Sequence, residues 1–124
     1  RLYQPAANRF EGRVFVLMDG GSFSATADFI ATVVFHKRAT LIGEETGGVA
    51  EGNNSGVAIG LTLPESQLHI GIPTYRYFNV VSSVTRARGT LPTYAVTQRI
   101  DDLAKDRDTA LEFTRDLIRT GKGQ

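Results

Sequence analysis

RVFVLMDGG, residues 13 to 21, constrains the fold more than any other stretch. Arg13 to Asp19 is a short apolar run rich in β-branched and aromatic residues, and the turn pair Gly20-Gly21 closes it, the pattern of a buried strand. A helical period starts at once. From Ser24 to His36 the residues Ala27, Ile30, Ala31 and Val34 recur at three- and four-residue spacing, with Phe29 and Val33 widening the stripe. Lys37-Arg38 ends this helix, and Thr40 to Gly43 (TLIG) resumes strand character. Strand, helix and strand within about 35 residues is the length of a βαβ crossover, so the two strands are expected to pair in parallel with the helix across one face.

EETGGVAEGNN, from residue 44 to 54, has little that can pack and is expected to be a mobile loop. Gly56 to Leu63 and Gln67 to Tyr75 place Val57, Ile59 and Leu61, then Leu68, Ile70 and Ile72, on alternate positions. These are expected to be half-buried strands joined by a Pro64-Glu65-Ser66 turn. A less regular stretch covers Phe78 to Val84 and ARGTLPTYAV. A last helix is expected to start at Asp108, a good N-cap, with Leu111, Leu117 and Ile118 on one side and Gly121 just past its end. GKGQ reads as a frayed tail.

At 124 residues, with no repeat, residues 1–124 are expected to form a single domain. The content is 41% hydrophobic and 22% charged, the usual balance of a globular protein, and no apolar run reaches the ~20 residues of a membrane span. A formal charge of +1 gives no nucleic-acid surface and no polybasic membrane patch. The absence of cysteine removes disulfides, thiolate nucleophiles and Cys-type zinc sites together. No pair of histidines or carboxylates has metal spacing, so no metal is expected. No cofactor is expected either, since the glycines of ETGGVAEG are not followed by the lysine of a phosphate-binding loop. Tyr75, Arg76, Tyr77 and Phe78 mix basic and aromatic groups without a surrounding basic surface, which favours aromatics packing at a strand end over nucleic acid. The start at Arg1, without methionine or signal peptide, suggests a piece of a longer protein.

The serines of GGSFSATADF allow two readings. Ser22 or Ser24 can cap the helix by accepting a hydrogen bond from an orphan amide, the commonest work of serine at a helix start. The alternative is nucleophilic. A hydroxyl on a tight turn at this position stands beside the amide of the next residue and the positive end of the helix dipole, both of which face any oxyanion formed by attack on a carbonyl. Gly20, Gly21 and Ala25 leave room for a substrate, which a cap does not require.

Strand, GG-x-x-SAT-x-D, apolar helix, then a strand running into GEETGG resembles the catalytic domain of the S41 serine peptidases, the carboxyl-terminal processing and tricorn-type core proteases. The resemblance continues through LTLPESQLHIGIP and RGTLPTYAV to the final DTALEFTRDLI helix and covers nearly the whole chain. It implies a crotonase-like α/β fold, a mixed sheet with flanking helices, incomplete here and equivalent to the carboxyl-terminal portion of such a domain. It also implies peptide-bond hydrolysis, with Ser24 as nucleophile and the Ala25 amide in the oxyanion hole. Gly21, Gly47 and Gly48 are then the substrate side, and the protein is exported, periplasmic or of the cell envelope.

A serine nucleophile needs a base. The place of the family's lysine is held by Val49, and the family's other base, a histidine upstream of the nucleophile, has no counterpart before Ser24. His36 ends the nucleophile helix, ~18 Å from Ser24 by the helical rise, where a positive charge suits the dipole. His69 alternates against Leu68 and Ile70 and so faces away from the core. Between Ser66 and Ile100 there is no Asp or Glu to match the family's glutamate. Asp28, one helical turn beyond Ser24, stands where the family often has an acid, and it reads as a favourable charge in the first helical turn. Glu44, Glu45 and Glu51 read as solvated loop charges, the first two also as flanks of a cleft with Thr46, Gly47 and Gly48. The expected partners are a peptide or protein substrate, the missing amino-terminal part of the chain, and a second copy through an exposed sheet edge. Two rivals stand beside the peptidase: a non-catalytic peptide-binding module of the same fold, and a crotonase-type acyl-CoA enzyme that needs no serine nucleophile.

Overall fold

A computed structural model describes residues 4–81 and 87–121. Its elements in chain order are β1 (Phe15–Met18), α1 (Ala25–Phe35), β2 (Thr40–Gly43), β3 (Ala58–Thr62), β4 (His69–Pro73), β5 (Tyr94–Ala95), α2 (Ile100–Leu103) and α3 (Thr109–Thr120). β1 and β2 pair in parallel, Phe15 against Thr40 through Met18 against Gly43, as the βαβ spacing requires. β5 adds in parallel on the far side of β2, giving the order β1-β2-β5. The architecture is thus a small parallel sheet with flanking helices.

The sheet owes its hold to side chains that alternate across it. Val16, Met18 and Leu41 share the face that α1 covers, and there Ile30, Met18 and Leu41 form the buried cluster, with Val33, Val34 and Ala39 packed at its margin. Ile42 lies on the other face, fully buried, and α3 packs against β1 and β2 with Thr114 and Leu117 buried. Each fully buried Ile or Leu contributes about 1.5–3 kcal/mol relative to an exposed one. Phe29, assigned by its spacing to the same stripe as Ile30, stands 53% exposed instead, and Ile118 of α3 is exposed as well. The sheet is too narrow to cover their flank of either helix.

α3 is delimited as its sequence demands. Asp108 accepts a 2.9 Å hydrogen bond from the Leu111 amide, and Gly121 takes the left-handed conformation at φ 71°, its amide bonded to the Leu117 carbonyl. The rest of the expected tail, residues 122–124, lies outside the described residues, as do residues 82–86 of the less regular stretch.

β3 and β4 form a separate antiparallel hairpin in the expected register, Ile59 opposite Ile72 and Leu61 opposite Ile70. Their expected half-burial is corrected: every residue of both strands is exposed. Alternation gathers Val57, Ile59, Leu61, Leu68, Ile70 and Ile72 on one face, yet Ile59 remains 63% and Leu68 62% exposed. A hairpin stabilised only by its own pairing is marginal in water. His69 lies on the opposite face, its Nδ1 2.8 Å from the Thr62 hydroxyl.

The two environments separate in a mutational test. Ile30→Ala should cost about 2–5 kcal/mol in urea unfolding, whereas Ile59→Ala should stay within about 0.5 kcal/mol. Equal costs would place the hairpin in the same core as α1.

Candidate active site

The turn after β1 is built by Asp19 and Ser22. The Asp19 carboxylate accepts from the Gly21 amide at 2.9 Å, the Ser22 amide bonds the Asp19 carbonyl at 3.0 Å, and the Ser22 hydroxyl accepts from the Asp19 amide at 3.2 Å. Ser22 is buried and closes this turn. Its hydroxyl therefore caps the strand end and not the helix.

Ser24 occupies the N-cap position of α1 at φ 52° and ψ −125°, and its side chain makes no capping bond. That backbone combination is sparsely populated by a residue with a Cβ and costs on the order of 1–3 kcal/mol. A serine on a strained strand-to-helix turn, hydroxyl exposed, has the geometry of a nucleophile elbow, without that motif's flanking glycines. Among the opening amides of α1, Thr26 bonds the Phe23 carbonyl and Asp28 bonds the Ser24 carbonyl, each at 3.0 Å. Ala25 is the first residue of the helix, so its amide has no carbonyl one turn earlier to meet and points with the positive end of the helix dipole.

The loop after β2 is laid directly on this turn. The Gly48 amide donates to the Ser22 carbonyl at 3.1 Å. A Cβ on Gly48 would lie 2.7 Å from the Ala27 Cβ and 3.3 Å from the Ser24 nitrogen, and one on Gly47 would lie 2.2 Å from the Gly20 carbonyl oxygen. Only glycine permits this approach. The loop expected to be mobile is instead pinned. The buried Thr46 exchanges bonds with Thr90, amide to carbonyl at 3.1 Å and Thr90 amide to Thr46 hydroxyl at 2.8 Å, and Val49 bridges to Gly89. Glu45 and Arg88 form a two-pronged ion pair at 3.0 and 2.6 Å, and the hydrogen bond from Arg88 holds the Glu45 carboxyl below its ordinary value.

Between the turn and the next segments lies an open cavity of about 540 Å³. Phe23 and Ser24 line it from the turn before α1, Ala27 from α1 itself, Gly47, Gly48 and Val49 from the glycine loop, and Asn53, Asn54, Ser55 and Arg76 from the far wall. Gly47 and Gly48 thus stand beside Ser24 as the sequence places them. Gly21 does not line the cavity; its amide serves the Asp19 turn. Glu44 faces a different cavity, with Asp19 and Asp108, and Glu45 is turned to Arg88. Among the described residues lining the Ser24 cavity none is Asp, Glu, His or Lys. Arg76 is the one charged side chain among them. It stacks over the Phe78 ring at 4.6 Å and faces Glu51 at 3.6 Å. His36 is the C-cap at the opposite end of α1 and His69 is on the hairpin, so neither reaches Ser24.

Asp28, a helix-start charge at a place where the resembled family often has an acid, has more partners than either reading requires. Its carboxylate accepts from Asn53 at 3.2 Å, from Asn79 at 2.7 Å, and from the Tyr77 hydroxyl in a short bond. That bond, and after it desolvation, holds Tyr77 above the ordinary tyrosine value. These partners follow Asp28 by 25, 49 and 51 residues, and no periodicity in the sequence announces them.

The family model for peptidase family S41 matches residues 2–96. No curated protein gives a match. Among solved structures, a candidate peptidase from Parabacteroides merdae is similar at a TM-score of 0.67 and 28% identity. The similarity covers 92% of this chain and 34% of that one, so the chain spans about a third of the length of this relative.

Two measurements check the site as described. Ser24→Gly should raise stability by about 1–2 kcal/mol, because glycine adopts φ 52° without strain, while Ser24→Ala should stay within about 0.5 kcal/mol. A neutral glycine variant would deny the strain. A raised Tyr77 value means that its bond to Asp28 stabilises the fold fully below the ordinary tyrosine range and is lost as pH rises through the raised value. Thermal denaturation of Tyr77→Phe should therefore lack the alkaline loss of stability that the wild type shows as Tyr77 ionises.

Proposed function

The chain belongs to peptidase family S41, and from that premise we propose that it is the Ser24-bearing part of a serine peptidase that cleaves peptide bonds through an acyl-enzyme. The observation that supports this most is Ser24 itself: strained at φ 52°, free of any capping bond, and open to a cavity of about 540 Å³ at the amino end of α1. Strain of this kind persists where a site holds a group in place for chemistry.

In the proposed reaction Ser24 Oγ attacks the scissile carbonyl carbon and gives its proton to a base. The carbonyl oxygen becomes an oxyanion and accepts from the Ala25 amide. Collapse expels the amine, which takes the proton back, and leaves an ester on Ser24 that water hydrolyses. Gly47 and Gly48 leave the space in which the acyl side lies. The base and a second oxyanion donor come from outside the described cavity lining, so the chain alone is inactive or nearly so. An extended peptide, or a strand of another chain, adds to the edge of β1 that no described strand pairs.

A lining without Asp, Glu, His or Lys also favours a second reading, a peptide-binding module of the same fold with no catalysis. A serine-directed fluorophosphonate separates the two. We expect Ser24 to be modified in the full-length gene product, to be modified far more slowly in these 124 residues alone, and to be untouched in Ser24→Ala, with the adduct mapped by tandem mass spectrometry. No adduct on folded full-length protein would replace the peptidase with the binding module.

A further inference from the structure

Residues 51–53 and 77–79 run beside each other as one unit. The Tyr77 amide donates to the Asn53 carbonyl at 3.0 Å and the Asn79 amide to the Glu51 carbonyl at 2.7 Å. Gly52 between them is buried at φ 127°, and a Cβ there would lie 2.2 Å from the Tyr77 carbonyl oxygen, so the two backbones touch. This unit carries Gly52 and Asn53, which face Ser24 across the cavity. Three hydrogen bonds join it to α1, and all three end on the Asp28 carboxylate.

A carboxylate placed in the first turn only to meet the helix dipole needs no partners and contributes about 0.3–1 kcal/mol. Asp28 is held otherwise. Oδ2 accepts from Asn53 and Tyr77 and Oδ1 from Asn79, while Asn53 and Tyr77 also bond each other at 2.5 Å. Asp28 lies one helical turn from Ser24, but its carboxylate is turned to these three donors and does not line the cavity. It is, however, fixed to the same turn of α1 as Ser24, whose carbonyl its amide bonds at 3.0 Å. Movement of the wall and movement of Ser24 are therefore linked through one residue.

We infer that Asp28 is a positioning residue: it fastens the far wall of the cavity to the helical turn that carries Ser24, and so sets the width in which a peptide meets the hydroxyl. The catalytic consequence rests on the reading of Ser24 as nucleophile; the fastening rests on the hydrogen bonds alone.

Asp28→Asn keeps the shape but removes one acceptor and adds a donor facing donors, and Tyr77→Phe removes the hydroxyl alone. Hydrogen exchange read by mass spectrometry should show the amides of 51–55 and 77–79 opening about tenfold faster or more in both variants, the scale of losing a charge-assisted bond, with β1, β2 and α3 unchanged. Exchange at the wild-type rate in 51–55 and 77–79, or an equal rise throughout the sheet, would overturn the fastening. In the full-length gene product, labelling of Ser24 by the fluorophosphonate should slow about tenfold in Asp28→Asn and less in Tyr77→Phe. A freed wall with unchanged labelling would overturn the positioning role. Absence of labelling in the wild type would defeat the nucleophile alone, and the exchange experiment then decides the fastening by itself.

Discussion

The strain at Ser24 is held from both sides, and the arrangement of the cavity follows from how. Before it, the chain leaves β1 through a turn closed by Asp19 and Ser22; after it, α1 is clamped to the sheet by Ile30 against Met18 and Leu41. With strand and helix both fixed, the residues between have little freedom, and Ser24 absorbs the mismatch at φ 52°. Core packing of several kcal/mol in total outweighs a local cost on the order of 1–3 kcal/mol. A looser core would let the turn relax, and with it the position of the hydroxyl. The link from the interior to the site is thus mechanical and runs through the parallel pairing of β1 and β2.

The glycine loop completes the same logic from outside. Gly47 approaches the Gly20 backbone, and Gly48 the Ala27 side chain, more closely than a Cβ allows, and Thr46, Val49 and Glu45 anchor the loop to the segment at 88–90. That anchoring matters because a glycine loop free in solution has high conformational entropy to lose on meeting a ligand. Here much of that loss accompanies folding. The cavity that results has the opening turn of α1 on one side and side-chain amides, a hydroxyl and a guanidinium on the other.

Local rules made much of this legible. The βαβ unit came from periodicity, because a buried strand and an amphipathic helix each carry their own period; α3 came from its caps, because Asp108 and Gly121 satisfy orphan groups within a few residues. The position of Ser24 followed from strand, turn and helix in order. What escaped was non-local or too short. β5 has two residues and α2 four, below the length at which periodicity speaks. The fastening of Asp28 depends on side chains that only the tertiary fold gathers, and an acidic residue in a first turn has a sufficient local explanation that conceals it.

The hairpin shows the opposite failure, in which a correct pattern led to a wrong degree of burial. Alternation told which face of β3 and β4 is apolar and in what register the strands meet, and both hold. It does not tell what covers that face. Periodicity records a requirement of the sequence for apolar surroundings, whereas burial depends on a second surface at the right place. Leu68 at 62% exposure and Leu41 at 1% satisfy the same rule of alternation, and the difference between them is that α1 lies over one and no described element lies over the other. A strand pattern is therefore evidence about the strand's own two faces, and an inference to a core needs the partner as well.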